Sequence, residues 1–366
     1  MKISFKTKTT AMAGLTAVAL VWSAGASAQD KLTVVSWGGA YTKSQVEAYH
    51  KPFTAKKGVQ ILSEDYNGGL AEVKAQVESG NVTWDIIDVE LSDAIRGCDE
   101  GLFEEIDPSI LPAGADGTPA KDDFLPGTIT DCAVASIVWT TIYAYDTTKF
   151  SSNPPSTLFD FFDQTAYPGK RGLRKSPKVN LEWALMVDGV PSDKVYDVLA
   201  TDGGVARAFA KLDTLKGNVV WWEAGAQPPQ LLADGEVALT SAYNGRIFNA
   251  QAAEGKPFEI VWVGHVWDIY LWAIQKGAPN IAGALDFLAF STATEQLAAQ
   301  ASWISYGPAR QSSMPLASTY TGTNLDMGPH MPTAPANMTT AIQNDFFFWA
   351  DNQDELNEKF TAWLAR

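Results

Sequence analysis

The side chains that most often carry covalent chemistry are sparse in this sequence and fall into no pattern. His50, His265 and His330 are the three histidines, and they stand far apart along the chain. No H-E-x-x-H, G-x-S-x-G or phosphate-loop motif occurs. Two cysteines, Cys98 and Cys132, are too few for a cysteine zinc site. No metal or cofactor is therefore expected. Carboxylates are plentiful but scattered, so an exported hydrolase using cleft carboxylates stands as the alternative reading. Aromatic abundance is the positive signal, with 13 Trp and 11 Tyr. Several of these rings sit at the end of a strand pattern beside Gly, Asn or an acid, as in Ser36-Trp37-Gly38-Gly39 and Ala242-Tyr243-Asn244-Gly245. That placement suits a binding cleft better than a reaction centre, and an enzyme is not expected.

The elements that must position these rings alternate. Leu32 to Ser36, Val59 to Leu62, Trp84 to Val89, Val237 to Ser241, Phe258 to Val263 and Leu271 to Gln275 read as strands. Between them, helical patterns run over Ser44 to Lys57, Leu70 to Glu78, Ser92 to Asp99, Leu181 to Asp188, Val205 to Leu215 and Ile281 to Phe290. The run Ala133 to Tyr145 is β-prone and long enough to leave one domain and enter another. Alternation of this kind implies α/β layers.

Lys2, Lys6 and Lys8 precede an apolar run from about Ala11 to Val21, followed by Ala26-Ser27-Ala28. A basic head, a short apolar middle and a small-x-small exit describe a secretory signal peptide over residues 1–28. Its loss removes three lysines and takes the net charge from −15 to −18 over the remaining 338 residues. So acidic a chain is not expected to hold a nucleic-acid backbone. In an oxidising compartment Cys98 and Cys132 can pair across the Pro, Gly and Asp-rich loop that separates them. Two separately buried thiols are the alternative, and pairing is the expectation.

VVSWGGAY, the segment WDIIDVELSDAIRGCDEGLFEEID from Trp84 to Asp107, the turn Tyr243-Asn244-Gly245-Arg246, LWAIQKGAPN from Leu271 and YGPAR from Tyr306 keep an order and spacing that resemble a known family. The chain resembles the periplasmic solute-binding proteins of ABC importers, specifically the spermidine/putrescine-binding type (extracellular solute-binding protein family 1). The resemblance implies a two-lobed type II periplasmic-binding-protein fold, each lobe a mixed sheet flanked by helices, with the ligand cleft between. Residues 29–140 and 271–306 would form a discontinuous first lobe, and 141–270 with 307–366 the second. It also implies capture of a small, amine-containing organic solute, polyamine-like, delivered by a monomer to an inner-membrane ABC permease from the periplasm.

Carried over by position, the ligand-binding residues would be Trp37, Gly38, Glu90, Tyr243, Asp268, Tyr270 and Tyr306. The sequence departs from the polyamine pattern at Tyr270, where those binders have an aspartate, and near Ser176 and Val179, where two further acids are missing. Glu182 lies close by on a helix. Glu90 could equally cap the helix near Ser92, and Asp268 could serve a hinge. Arg246 reads as half of a surface salt bridge rather than a carboxylate ligand. Lys170, Arg171, Arg174 and Lys175 read as a solvated face or an importer contact. Trp221-Trp222 and Phe346 to Trp349 read as lobe core. Trp37, with Gly38 and Gly39 clearing space beside it, is expected to be a wall of the cleft. Replacing Trp37 by Ala should then weaken ligand binding at least about tenfold while the melting curve of the ligand-free protein stays nearly unchanged. Intact affinity with a large loss of stability would instead place Trp37 in the core.

Overall fold

The computed structural model describes residues 31–366, with Met1 and Ser4 before them. The leader expected over residues 1–28 lies, but for those two, outside the described residues. The strands are β1 (Lys31–Ser36), β2 (Gln60–Asp65), β3 (Ile86–Glu90), β4 (Ala133–Asp146), β5 (Arg171–Arg174), β6 (Val219–Trp222), β7 (Leu239–Tyr243), β8 (Phe258–Ile274), β9 (Gly307–Pro308) and β10 (Ile342–Gln343). They form one sheet in the order β2-β1-β3-β8-β4-β7-β5-β6, with β9 on β4 and β10 on β8.

β4 and β8 make this sheet a two-lobed one. β4 is buried along all but its last residue, as a strand covered on both faces must be, and its Val, Ile, Thr and aromatic residues suit that setting. The first half of β4 pairs with the last part of β8, which also pairs with β3. The second half of β4 pairs with the first part of β8 and with β7. Parallel β1, β2 and β3 complete the first lobe, and parallel β5, β6 and β7 the second. Sequence reading splits β8 into two strands around Gly264. The chain instead bulges between Val261 and Val266 and resumes pairing with β4, because one irregular stretch costs less than ending two ladders. β5 and β6 are also absent from the sequence reading. Arg171, placed there on a solvated face, is fully buried and donates to the carbonyls of Phe161, Asp163, Tyr167 and Gly169.

Helices cover both lobes. The first begins at Gly39, earlier than its periodicity suggests, and ends at Gly58, whose φ of 74° is the left-handed stop expected of glycine. The C-terminal helix, Phe346–Leu364, seats Trp349, Leu356, Phe360 and Trp363 against Leu181, Leu185 and Leu212 of the second lobe. Phe347, read as core, is exposed.

Cys98, near the end of the helix Leu91–Asp99, is bonded to Cys132, just before β4, with Cα atoms 5.7 Å apart. The bond closes a loop with a sequence separation of 34 and ties the start of the central strand to a helix of the first lobe. Replacing both cysteines by serine should lower the unfolding free energy by about 3–4 kcal/mol. Urea unfolding of the two forms checks this, and coincident transitions would refute it.

Candidate ligand-binding cleft

β1, β3 and β7 end at the seam between the lobes and β8 runs through it, and each delivers an expected site residue there. Trp37 follows β1 and stacks on Tyr270 of β8, with ring centroids 4.8 Å apart and planes 9° from parallel. Trp139 of β4 lies on the same tyrosine at 4.7 Å and meets Tyr243 edge-on at 4.9 Å. Tyr41, one turn into the first helix, touches both Tyr270 and Tyr306, at 5.5 and 5.4 Å. Asp268 and Tyr270 are two residues apart on β8 and so project to one face. Glu90 is the cross-strand partner of Tyr270, and Trp139 that of Asp268. Trp37, Glu90, Tyr243, Asp268, Tyr270 and Tyr306 are all buried, and the four rings share one packed cluster.

The two glycines after Trp37 have separate uses. Gly38 and Gly39 both take positive φ, 72° and 58°, turning the chain from strand to helix. At Gly39 a Cβ would sit 3.0 Å from a guanidinium nitrogen of Arg246, so the missing side chain is what admits that residue. Gly68 does the same for Trp37 itself. A Cβ there would meet the indole at 2.4 Å.

The cations were misplaced or missed by sequence reading. Arg246 is buried and donates to the carbonyls of Gly38 at 2.5 Å and Trp37 at 3.1 Å. It is not half of a surface ion pair. Among the described residues no carboxylate lies within ion-pair distance of it, and its Nε has no hydrogen-bond acceptor. Its guanidinium lies 5.8 Å from the ring of Tyr41. Arg174, at the end of β5, is 5.9 Å from Trp37 and 5.8 Å from Tyr243, and donates to Glu90 at 3.3 Å. It is a cleft residue, not part of a solvated face. Lys178, which no local motif marks, donates to Glu90 at 2.6 Å and to the hydroxyl of Ser92 at 2.9 Å. Arg246 stood in a strand-end turn, Tyr-Asn-Gly-Arg, and that position was the available signal for it.

The acids divide by whether a cation answers them. Burial would push the Glu90 carboxyl up, but Lys178 and Arg174 together hold it below its ordinary value. Its side chain makes no cap for the following helix. Asp268 accepts from Asn344 at 2.5 Å and from its neighbour's backbone N–H, Ile269, at 2.7 Å, with no cation in ion-pair reach among the described residues. Burial pushes it up to about 7, against the more distant pull of Lys178. Asp88, beneath Tyr41, accepts from the Tyr41 hydroxyl and Gln45, both at 2.6 Å, and burial raises it to about 7 as well. Glu182 does not reach the cleft surface. It is buried and accepts from Trp349 at 2.9 Å and Tyr196 at 3.0 Å. A cavity of about 190 Å³ opens at the seam, lined by Gly68, Glu90, Asp93, Arg174 and Lys178 among others.

The walls of this cavity are polar and charged, and the rings, Arg246 and Asp268 are buried without lining it. Comparison with known proteins gives the family. The family described as bacterial extracellular solute-binding protein matches residues 48–333. A gamma-aminobutyric acid-binding protein of Pseudomonas aeruginosa is 47% identical over 348 residues, covering 95% of each chain. The crystal structure of the periplasmic binding protein MotA from A. tumefaciens B6 in complex with glucopine has a TM-score of 0.83 at 31% identity, over 91% of this chain and 99% of that one. The structure of the Atu4243 GABA receptor has a TM-score of 0.77 at 30% identity, over 92% and 98%. The chain belongs to the bacterial extracellular solute-binding proteins.

Proposed function

We propose that this protein, the substrate-binding component of an ABC transporter, takes a small zwitterion that carries a carboxylate and an ammonium on separate carbons, as gamma-aminobutyrate does. One observation carries the reading. Arg246 and Asp268 are buried at the seam with no ionic partner among the described residues, one of each sign, while Asp88, likewise without a cation, is taken up beneath the rings by Tyr41 and Gln45. Glu90 is already matched by Lys178 and Arg174. Leaving a buried charge uncompensated costs several kcal/mol, so a ligand that supplies both missing partners binds to the site's own deficit.

In this reading the ligand carboxylate meets Arg246, with Arg174 near it, and its ammonium meets Asp268. Trp37, Trp139, Tyr243, Tyr270 and Tyr306 enclose the carbon chain, and Gly38 holds Arg246 in place through its carbonyl. Three cations line the cleft, which suits a polyamine poorly, since each of its ammoniums would be repelled. The relatives that bind gamma-aminobutyrate support the zwitterion over the spermidine/putrescine type. Residues 29–140 with 271–306 act as the first lobe and 141–270 with 307–366 as the second. They close on the solute, and closure is recognised by an inner-membrane permease. No bond is made or broken. The protein works in the periplasm as a monomer, exported by the leader at residues 1–28.

Calorimetry of the mature protein should show binding of gamma-aminobutyrate and none of putrescine. Stabilisation by putrescine alone would overturn the reading. Arg246→Met should weaken gamma-aminobutyrate at least about tenfold, as expected when a charged partner is lost. The pH dependence follows from Asp268. Its carboxyl is raised to about 7 in the free protein, and a bound ammonium would favour the ionised form. Binding below pH 7 must then expel a proton, so affinity is constant above that range and falls by up to about tenfold per pH unit below it. Asp268→Asn should bind weakly with no such slope. A slope that persists in this variant would move the titrating group elsewhere.

A further inference from the structure

Lys178 sits in the cleft in an unusual way. Its ammonium is held by a carboxylate, a hydroxyl and an aromatic face: Glu90 at 2.6 Å, Ser92 at 2.9 Å and the Trp349 ring centroid at 5.6 Å. Those are the groups that a binding site offers to a ligand amine. The side chain is 5% exposed, and it comes from the second lobe while Glu90 and Ser92 belong to the first. Asp93 and Asp268 act on the same ammonium from further away.

The backbone is distorted to put it there. Val179, the next residue, has φ 72° and ψ −40°, and it is the one non-glycine residue with positive φ among the described residues. This is close to a rare, strained γ-turn, and a β-branched residue is badly suited to it. The turn is held by Asn180, whose side-chain amide donates to the carbonyls of Arg174 and Ser176, each at 2.7 Å. Strain of this kind persists where surrounding structure enforces it, commonly at ligand sites.

We propose that Lys178 is a specificity-determining residue whose ammonium permanently fills a second amine subsite at Glu90, Ser92 and Trp349, so that the cleft takes a ligand with one ammonium and rejects diamines. The inference rests on the zwitterion reading for what the wild-type protein binds, but its test does not use that ligand. A free diamine would need Glu90 as the acid for its second ammonium. Lys178 already neutralises Glu90 and occupies the space, and a further cation beside Lys178 and Arg174 is repelled.

The test measures putrescine and cadaverine binding to the mature protein by calorimetry, for the wild type, Lys178→Ala and the double variant Glu90→Gln/Lys178→Ala. Lys178→Ala should bind one of the two diamines at least about tenfold more tightly than the wild type. The double variant should lose that gain, because the vacated subsite no longer carries an acid. Ethylammonium should raise the melting temperature of Lys178→Ala and leave that of the wild type unmoved. Lys178→Ser, whose hydroxyl can donate to Glu90, serves if the alanine variant fails to fold. The proposal is overturned if the wild type binds a diamine as tightly as the variants, if neither single variant gains diamine affinity, or if the gain survives Glu90→Gln. Failure of the wild type to bind gamma-aminobutyrate would sink the zwitterion reading and leave this diamine comparison intact.

Discussion

Three cations from the second lobe reach across the seam to acceptors of the first, and the form of the cleft depends on that contact. Arg246 donates to the carbonyls of Trp37 and Gly38, Arg174 to Glu90 and the carbonyl of Asn67, and Lys178 to Glu90 and Ser92. When the lobes part, each of these groups returns to water, which solvates it well. When they meet, every one is desolvated at once. The closed form is therefore tolerable only where the charges balance, and partial balance is penalised rather than rewarded. Ligand selection follows from whatever imbalance the protein leaves.

The aromatic cluster makes that balance stringent. Trp37, Tyr41, Trp139, Tyr243, Tyr270 and Tyr306 exclude water from the seam and lower its effective dielectric, which strengthens matched charges and worsens unmatched ones. The rings are themselves held from below. The Tyr41 hydroxyl donates to Asp88, which also takes Gln45, while the Tyr66 hydroxyl donates to the carbonyl of Asp88 at 2.8 Å. A second brace comes from outside the cleft. The C-terminal helix, rooted on the second lobe, reaches the first through Asp354 to Arg96 at 2.6 Å and Gln353 to Asp93 at 3.2 Å. Lobe closure thus brings together buried, balanced charges inside and weaker, solvent-screened ones at the rim.

Much of this was legible in the sequence, for physical reasons that differ by residue. The rings at strand ends were visible because a strand pattern stops where the sheet meets the cleft, and Trp37 and Tyr243 stand at such stops. Glu90, Asp268 and Tyr270 came from the resemblance, and the sheet register places them as neighbours on adjoining strands. The cations were not legible. Arg174 and Lys178 lie in a segment of Arg, Lys, Ser and Pro that on composition reads as a solvated face, and only tertiary pairing across the seam buries them. Arg171 was misread for the same reason, being enclosed by four backbone carbonyls that no local pattern announces. β8 was split because Gly264 looks like a stop in one dimension, whereas the opposite strand carries the ladder past it.

The departures from the polyamine pattern take on a meaning once the charges are placed. Against the polyamine pattern that the sequence resembles, the cleft has Tyr270 in place of an aspartate and no acid at Ser176 or Val179. The same segment contributes two cations, Arg174 and Lys178. A change in one direction alone would leave Glu90 and Asp268 to attract any small amine. Glu90 is answered by Lys178 and Arg174, which leaves Arg246 and Asp268 as a dipole across the seam. A neutral, dipolar solute fits that field in one orientation only, because reversing it sets carboxylate against carboxyl and ammonium against guanidinium. Selectivity in this cleft then comes as much from the repulsion of wrong charge patterns as from the attraction of the right one.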